Sequence, residues 1–169
     1  MNQLDILRES LGQCDEILLD ALLMRNRIVE DIMVYKEAND IPILQPEQEA
    51  KQREWLNRRM EGKRHKDEVM AVFEEITRNS KKIQARKLFN YNIVLIGFMG
   101  AGKSTISDFL RTVFAMEVVE MDQIIAEREG MSISDIFETY GEEYFRNLET
   151  ELLIEMQSRT NVVISCGGG

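Results

Sequence analysis

The sequence predicts two fold classes in one chain, an all-α helical half followed by an α/β half with a parallel sheet. From Leu4 to about Ala38 there is no proline, and apolar residues recur at the spacing of one helical face. Further on, Gly97 to Ser104 matches G-x-x-x-x-G-K-[ST] between an apolar, strand-like run and a helical pattern. We therefore predict two domains, residues 1–90 and residues 91–169.

The first predicted helix is too long to be stable alone. About 35 residues at roughly 1.5 Å each make a helix on the order of 50 Å long, and Pro42 follows its end. Such a helix cannot bury its apolar stripe against itself. Its stripe consists of Leu4, Leu7, Leu11, Cys14, Leu18, Leu22, Val29 and Ile32. We therefore expect an intertwined homodimer in which this helix lies against its twin.

Two further helices complete the predicted helical half. A short, polar helix is expected from Glu47 to about Glu61, and a third from roughly Asp67 to Leu88. The residues of the third helix expected to face inward are Val69, Val72, Phe73, Ile76 and Ile83.

Cations interrupt the apolar stripe of the first helix. Arg25 and Lys36 are eleven residues apart, about 20° from the same line on the helix. Arg8 lies seventeen residues before Arg25, about 100° off that line, so one helix cannot aim all three cations at one point, but a second subunit could supply the third. On the third helix, Ser80 and Gln84 lie at i and i+4. The alternative is that these are snorkelling cations and satisfied polar residues at the rim of a core.

Taken together, these residues resemble the all-helical class of chorismate mutase, over about residues 4–88. The similarity is carried by L-R-E at Leu7–Glu9, D-E at Asp15–Glu16, Arg25, Lys36, Glu49 and S-x-x-x-Q at Ser80–Gln84. The resemblance implies an intertwined dimer whose pocket takes one arginine from the partner's first helix. In one respect the chain departs from the family: Gln48 and Gln45 stand where a cation and an acid are usual.

The resemblance also implies a role for each residue. Arg8 of the partner subunit and Arg25 would pair with the two substrate carboxylates, and Ser80 would help to hold one of them. Lys36 and Gln84 would donate to the ether oxygen, and Glu49 would take the ring hydroxyl. Converting chorismate to prephenate is a Claisen rearrangement, which needs positioning and fixed donors but no nucleophile and no cofactor.

The glycine-rich stretch has the pattern of a phosphate-binding loop. Its glycines would turn backbone N–H groups towards phosphate oxygens, and the following helix would add its positive N-terminal end. Lys103 would reach the β- and γ-phosphates, and Ser104 would ligate Mg²⁺. The predicted nucleotide-binding residues are Gly97, Gly100, Gly102, Lys103, Ser104 and Thr105. The alternative is a glycine-rich turn that binds nothing.

Strands alternate with helices around this loop, which predicts a parallel sheet. The expected strands are Ile93–Ile96, Met116–Met121 and Asn161–Ser165. The expected helices are Ser104–Phe114, one capped by Asp122, Ser132–Tyr140 and Glu142–Arg159.

Several linked motifs in this half resemble shikimate kinase. They are M-D at Met121–Asp122, G-M-S-I-S-D-I-F from Gly130, G-E-x-x-F-R-x-x-E from Gly141 to Glu149, and the closing C-G-G-G. The residues that would bind shikimate are Asp122, Arg146, Gly167, Gly168 and Gly169, with Glu149 orienting Arg146. Alternatively, Arg146 and Glu149 form an ordinary i, i+3 helix pair. Glu120 stands where the family usually has an aspartate near the Mg²⁺.

The resemblance implies that the kinase module is incomplete, because later strands, the lid and the adenine-binding loop of that family have no counterpart before residue 169. We expect the kinase module to be inactive as truncated, with MgATP as its cofactor if it binds nucleotide.

The net charge of −9 is unevenly distributed. Up to Asn90 there are 16 Lys and Arg against 17 Asp and Glu, and the remainder has 5 against 13. Neither half has the basic face of a nucleic-acid binder. With no signal peptide and no long apolar span, we expect no membrane association and a cytoplasmic location.

The sequence thus predicts a homodimeric chorismate mutase that binds chorismate and prephenate, with ATP and shikimate as further ligands of the attached partial kinase. One alternative is a dimeric interaction or regulatory protein with a vestigial nucleotide-binding appendage. Another is a fragment of an active bifunctional mutase-kinase.

Overall fold

A computed structural model describes residues 2–167 of the chain, which divide into two compact units, one up to Gln84 and one from Ala85. Its elements, in chain order, are α1 (Gln3–Ala38), α2 (Pro46–Arg59), α3 (Lys66–Leu88), β1 (Ile93–Leu95), α4 (Lys103–Phe114), β2 (Glu117–Glu120), α5 (Met121–Glu129), α6 (Ile133–Met156) and β3 (Val162–Ser165). The predicted classes, helical and then α/β with a parallel sheet, are confirmed. The predicted Gly168 and Gly169 lie outside the described residues.

The long helix α1 begins at a capping box. The Asn2 side chain accepts a hydrogen bond from the Asp5 backbone N–H at 2.9 Å, and Asp5 accepts one from the Asn2 N–H at 3.1 Å. This pair satisfies two backbone donors that a helix start otherwise leaves free. The helix runs for 36 residues, on the order of 54 Å, as its periodicity predicts.

Most of the apolar surface of α1 is exposed within its own unit. Only Val29 and Met33 are buried, whereas Leu11 is 62% and Leu18 60% exposed. A contiguous apolar surface of this length is typical of an interaction face. On α3, the prediction that Val72 faces inward is wrong, because it is 59% exposed. Val72 lies about 100° from the half-buried Phe73 around the helix, at the edge of the stripe.

The second unit is built on a three-stranded parallel sheet with the order β1-β3-β2. The central strand β3 is buried on both faces, as parallel strands between helices usually are. Val162 and Ile164 belong to one apolar cluster, which also contains residues of α5 and α6. Val163 belongs to the other, with Ala85, Leu110 and Met116. Because all three strands are parallel and β1 leads into the phosphate loop, the carboxyl ends of the strands lie at the same edge of the sheet as that loop.

Two asparagines, Asn92 and Asn161, make hydrogen bonds at the end of the sheet where β1 and β3 begin. The Asn92 amide donates to the Arg159 carbonyl at 2.9 Å, and its oxygen accepts from the Val162 N–H at 3.2 Å. The Asn161 amide donates to the Ala85 and Phe89 carbonyls at 2.9 and 2.8 Å. These bonds connect the chain at and just beyond the C-terminal ends of α3 and α6 to the residues at the start of β1 and β3.

Two details around α5 and α6 concern the site. The prediction that Asp122 caps a helix is wrong: α5 begins at Met121 with Glu120 as N-cap, so Asp122 lies inside the first turn. The two helical patterns predicted on either side of Gly141 form one element with a break. Gly141 has φ 83° and ψ 172°, a conformation that favours glycine. Between residues 2 and 167, no helix is both long and apolar enough to span a membrane.

Candidate functional site

The phosphate loop lies between β1 and α4, where its motif predicts it. Gly100 and Gly102 have φ of 81° and 85°, which side-chain-bearing residues rarely adopt. A Cβ on Gly97 would lie 3.1 Å from the Ala101 Cβ, so the loop closes tightly on itself there. Lys103 Nζ donates to loop carbonyls, including that of Phe98 at 3.2 Å. The loop therefore places a cation and a helix N-terminus at one point.

A cavity of about 630 Å³ opens beside this loop. Ser104 and Thr105 line it together with the loop glycines Gly100 and Gly102. Its lining also includes Glu120, Asp122, Ile133, Phe137, Phe145, Cys166 and Gly167. The structure thus brings most of the predicted nucleotide-binding residues, together with the predicted shikimate-binding residues Asp122 and Gly167, to one cavity that also contains carboxylates and aromatic rings.

Asp122 has an unmet hydrogen-bonding capacity in this cavity. Its Oδ1 is buried and has no hydrogen-bond partner among the described residues. Burial raises the pKa of the Asp122 carboxyl, and the negative charge of Glu149 raises it further, against the opposing effect of Lys103. Such a group fits a ligand that donates a hydrogen bond, such as a hydroxyl. A Cβ on Gly167 would lie 3.0 Å from the Asp122 Oδ2, so glycine leaves room for this carboxylate.

Arg146 is held by acids on its own helix. It donates to Glu149 at 2.7 Å and to Glu142 at 3.2 Å, and its guanidinium lies 5.7 Å from the centre of the Phe145 ring. These hydrogen bonds raise the pKa of Arg146. The contact with Glu149 is an i, i+3 pair within α6, which is compatible both with the orienting role and with the alternative of an ordinary helix pair. Phe145 lines the cavity, whereas neither Arg146 nor Glu149 does.

Glu120 is held by a residue that sequence reasoning missed. Ser107 is buried, and its Oγ lies 3.3 Å from Glu120 Oε1 and 3.1 Å from the Ser104 carbonyl. Ser107 lies one helical turn after Ser104, and this spacing is the sequence signal that could have placed Ser107 near the phosphate loop. This arrangement links the start of α4 to the end of β2 at the cavity.

In the helical unit, a hydrogen bond joins α1 to α3. The Arg25 guanidinium donates to Ser80 Oγ, and Ser80 Oγ donates to the Ile76 carbonyl at 3.0 Å. Burial lowers the pKa of Arg25. Two predicted site residues that are 55 positions apart are therefore in direct contact.

The other predicted site residues of this unit are Glu49, Gln84, Lys36 and Arg8. Lys81 Nζ is 2.9 Å from Glu49 Oε2, so α2 is joined to α3 one residue beyond Ser80. Gln84 is half-buried on the same helix. Lys36 Nζ donates to the Ile43 carbonyl at 2.8 Å. Arg8 is exposed and lies seventeen residues before Arg25, about 25 Å along α1.

Lys36 also borders a groove of about 500 Å³ along α1. Its other lining residues are Ile28, Asp31, Ile32, Tyr35, Ile41 and Gln45. The groove is mostly apolar and carries one cation, Lys36, and one acid, Asp31.

Comparison with known proteins identifies both halves. Residues 7–85 match the family model of chorismate mutase type II, and residues 99–169 match that of shikimate kinase. The chain carries a domain of each of these two enzyme families. The mutase domain includes Arg8, Arg25, Glu49 and Ser80, and the kinase domain includes the phosphate loop from Met99 onwards.

The kinase domain is similar to curated and structurally characterised shikimate kinases. A shikimate kinase of Sulfurihydrogenibium sp. is 47% identical over 78 residues, which are 46% of this chain and 47% of the relative. The bifunctional shikimate kinase/3-dehydroquinate synthase of Thermotoga maritima is 51% identical over 77 residues, 46% of this chain and 16% of that protein. The crystal structure of shikimate kinase from Aquifex aeolicus is 47% identical, covers 46% of each chain and gives a TM-score of 0.44. The chain spans about half the length or less of these relatives.

Proposed function

We propose that the chain catalyses the rearrangement of chorismate to prephenate as a homodimer. The observation that carries this proposal is the contact of Arg25 with Ser80, beside the contact of Glu49 with Lys81, on three helices of one chorismate mutase type II domain. These residues offer a partly desolvated cation, a hydroxyl and a carboxylate within a small region.

The proposed mechanism needs only binding and fixed charge. Arg25 binds one substrate carboxylate with Ser80 beside it, and Arg8 of the partner subunit binds the other. Lys36 and Gln84 donate to the ether oxygen as its C–O bond breaks and a C–C bond forms within the same molecule. Glu49 accepts a hydrogen bond from the ring hydroxyl. Because charge grows on the ether oxygen in the transition state, fixed donors there accelerate the reaction.

The second subunit is a necessary part of this proposal. Arg8 lies about 25 Å from Arg25 along one helix, so it cannot reach the same pocket within one chain. The exposed apolar stripe of α1, including Leu11 and Leu18, gives a second copy of the chain a surface to bury. A twin α1 packed there in the opposite direction would bring its own Arg8 near Arg25.

The kinase domain is proposed to contribute binding residues for MgATP and shikimate. The loop geometry at Gly100 and Gly102, with Lys103, fits a bound phosphate group, and the unpartnered Asp122 Oδ1 fits a substrate hydroxyl. MgATP, when bound, supplies the transferable phosphoryl group. Ser104 would hold the Mg²⁺, and Asp122 and Gly167 would receive shikimate. We propose that this 169-residue stretch, whose matched residues cover about half the length of the kinases, does not phosphorylate shikimate alone.

The test is the loss of chorismate absorbance on adding the purified 169-residue chain. We expect saturable turnover that forms prephenate without added metal or nucleotide. A chain that leaves chorismate unchanged, while circular dichroism shows it folded, would refute the mutase proposal. That result would favour the alternative of an interaction or regulatory protein. Assay of a longer form of the protein tests whether the stretch belongs to an active bifunctional enzyme.

A further inference from the structure

Lys81 on α3 makes a contact that the roles proposed above leave unexplained. Its Nζ lies 2.9 Å from Glu49 Oε2, and its side chain is only 22% exposed. A lysine on a solvated helix face normally extends into water, and an exposed ion pair contributes little to folding. Here the two partners belong to different helices, so the contact fixes one helix against the other at the position of Glu49.

The position of Lys81 on α3 places it next to the other site residues of that helix. Taking Ser80 as the origin, Gln84 lies about 40° and Lys81 about 100° around the helix axis. Gln84 therefore lies between the other two in angle, one turn further along. Ser80 contacts Arg25 of α1, and Lys81 contacts Glu49 of α2. One face of α3 therefore contacts both Arg25 and Glu49, which are proposed to bind a carboxylate and the ring hydroxyl of the substrate.

The α2 helix gives Glu49 no cation from the residue before it. Gln48 and Gln45 are both neutral, and Gln45 lines the groove beside Lys36. A flexible carboxylate that must accept a hydrogen bond from a substrate hydroxyl needs a second contact to hold its orientation. Among the described residues, Lys81 makes that contact with an ammonium group, which keeps one carboxylate oxygen engaged and leaves the other free.

We propose that Lys81 is a positioning residue of the mutase site, which holds Glu49 Oε2 so that the other oxygen faces the ring hydroxyl of the substrate. This inference rests on the proposed mutase function. It assigns the recognition of the ring hydroxyl to a pair of residues, Glu49 and Lys81. The ammonium acts through Glu49 and takes no part in the bond changes.

The test compares Lys81→Gln with Lys81→Arg and Lys82→Gln in the full 169-residue chain. Lys82 is the matched control, because it is the next residue, is 36% exposed and lies 3.8 Å from Glu75 of its own helix. We expect Lys81→Gln to lower kcat/KM for chorismate on the order of tenfold or more, since small displacements of positioning groups have large effects on rate. Lys81→Arg should recover most of this loss, and Lys82→Gln should match the wild type.

A double-mutant cycle with Glu49→Gln separates positioning from a merely structural role. If Lys81 acts through Glu49, Lys81→Gln should add little further loss in the Glu49→Gln background. An equal loss in both backgrounds, or a Lys81→Gln chain with the kcat/KM of Lys82→Gln, would overturn the inference. A folded wild-type chain without chorismate turnover would instead overturn the proposed function, and the role of Lys81 with it.

Discussion

Replacing Arg25 by alanine should separate catalysis from folding. In the free protein, Arg25 donates one hydrogen bond to Ser80, and Ser80 keeps its own bond to the Ile76 carbonyl after the change. Losing one hydrogen bond from a charged donor that is only partly buried lowers the free energy of unfolding by about 1.5 kcal/mol, the low end of the range for charged groups. Catalysis should lose more. Leaving the substrate carboxylate in the pocket without its cation costs about 2 to 5 kcal/mol, which corresponds to roughly 30-fold to 5,000-fold in kcat/KM.

The assay is chorismate turnover measured beside thermal unfolding on the same preparations. Arg27→Ala is the matched control, because Arg27 lies two residues away on α1 and is exposed. The Arg25→Ala chain should unfold close to the wild-type temperature while turning over far more slowly, and Arg27→Ala should keep both properties. Near-native kcat/KM in Arg25→Ala would remove Arg25 from the site. A chain that loses fold and activity together would refute the separation argued from Ser80.

Three further predictions concern the Asp122 carboxyl, the exposed apolar stripe of α1 and the kinase domain. Ionisation of Asp122 should weaken folding as pH rises above its ordinary pKa of 3.8, because burial raises the pKa in the folded state. Asp122→Asn should therefore raise Tm relative to the wild type, by a margin that grows from pH 4 to pH 7.5; a margin independent of pH would contradict this. Leu18→Glu places a charge on the exposed stripe, so analytical ultracentrifugation should show loss of the dimer and the chorismate assay should show loss of turnover. A variant that stays an active dimer would refute the stripe as the interface. The 169-residue chain with MgATP should release no shikimate-dependent ADP, and turnover in a coupled assay would contradict the kinase proposal.

Much of the fold follows from local sequence. The proline-free helical period of α1 and the glycine-lysine motif at the start of α4 predicted both fold classes, because each depends on residues close together in the chain. Asp122 shows where this fails. As an acid at the start of a helical pattern it has the composition of an N-cap, but β2 runs directly into α5, and the extended Glu120 becomes the cap instead.

The sequence predicts the residue types of the candidate site but not the contacts between them. Arg25 and Ser80 are both predicted site residues, but no local pattern indicates that they touch across 55 residues. Lys81 was missed because a lysine on a charged helix resembles a solvated residue until α2 is placed beside it. Val72 fails for a related reason: an apolar residue at the edge of a stripe is buried only if a neighbour extends that far.

The central claim, a mutase pocket shared between two copies of the chain, is tested most directly by complementation. Subunits carrying Arg8→Ala and subunits carrying Arg25→Ala should each be inactive alone. Refolded together in equal amounts, half of the dimers contain one of each, and one of the two pockets in such a dimer keeps Arg25 and the partner's Arg8. We predict recovery of about a quarter of wild-type turnover, from the random mixing of two-fold dimers. Demonstrably mixed dimers without chorismate turnover would contradict the shared pocket.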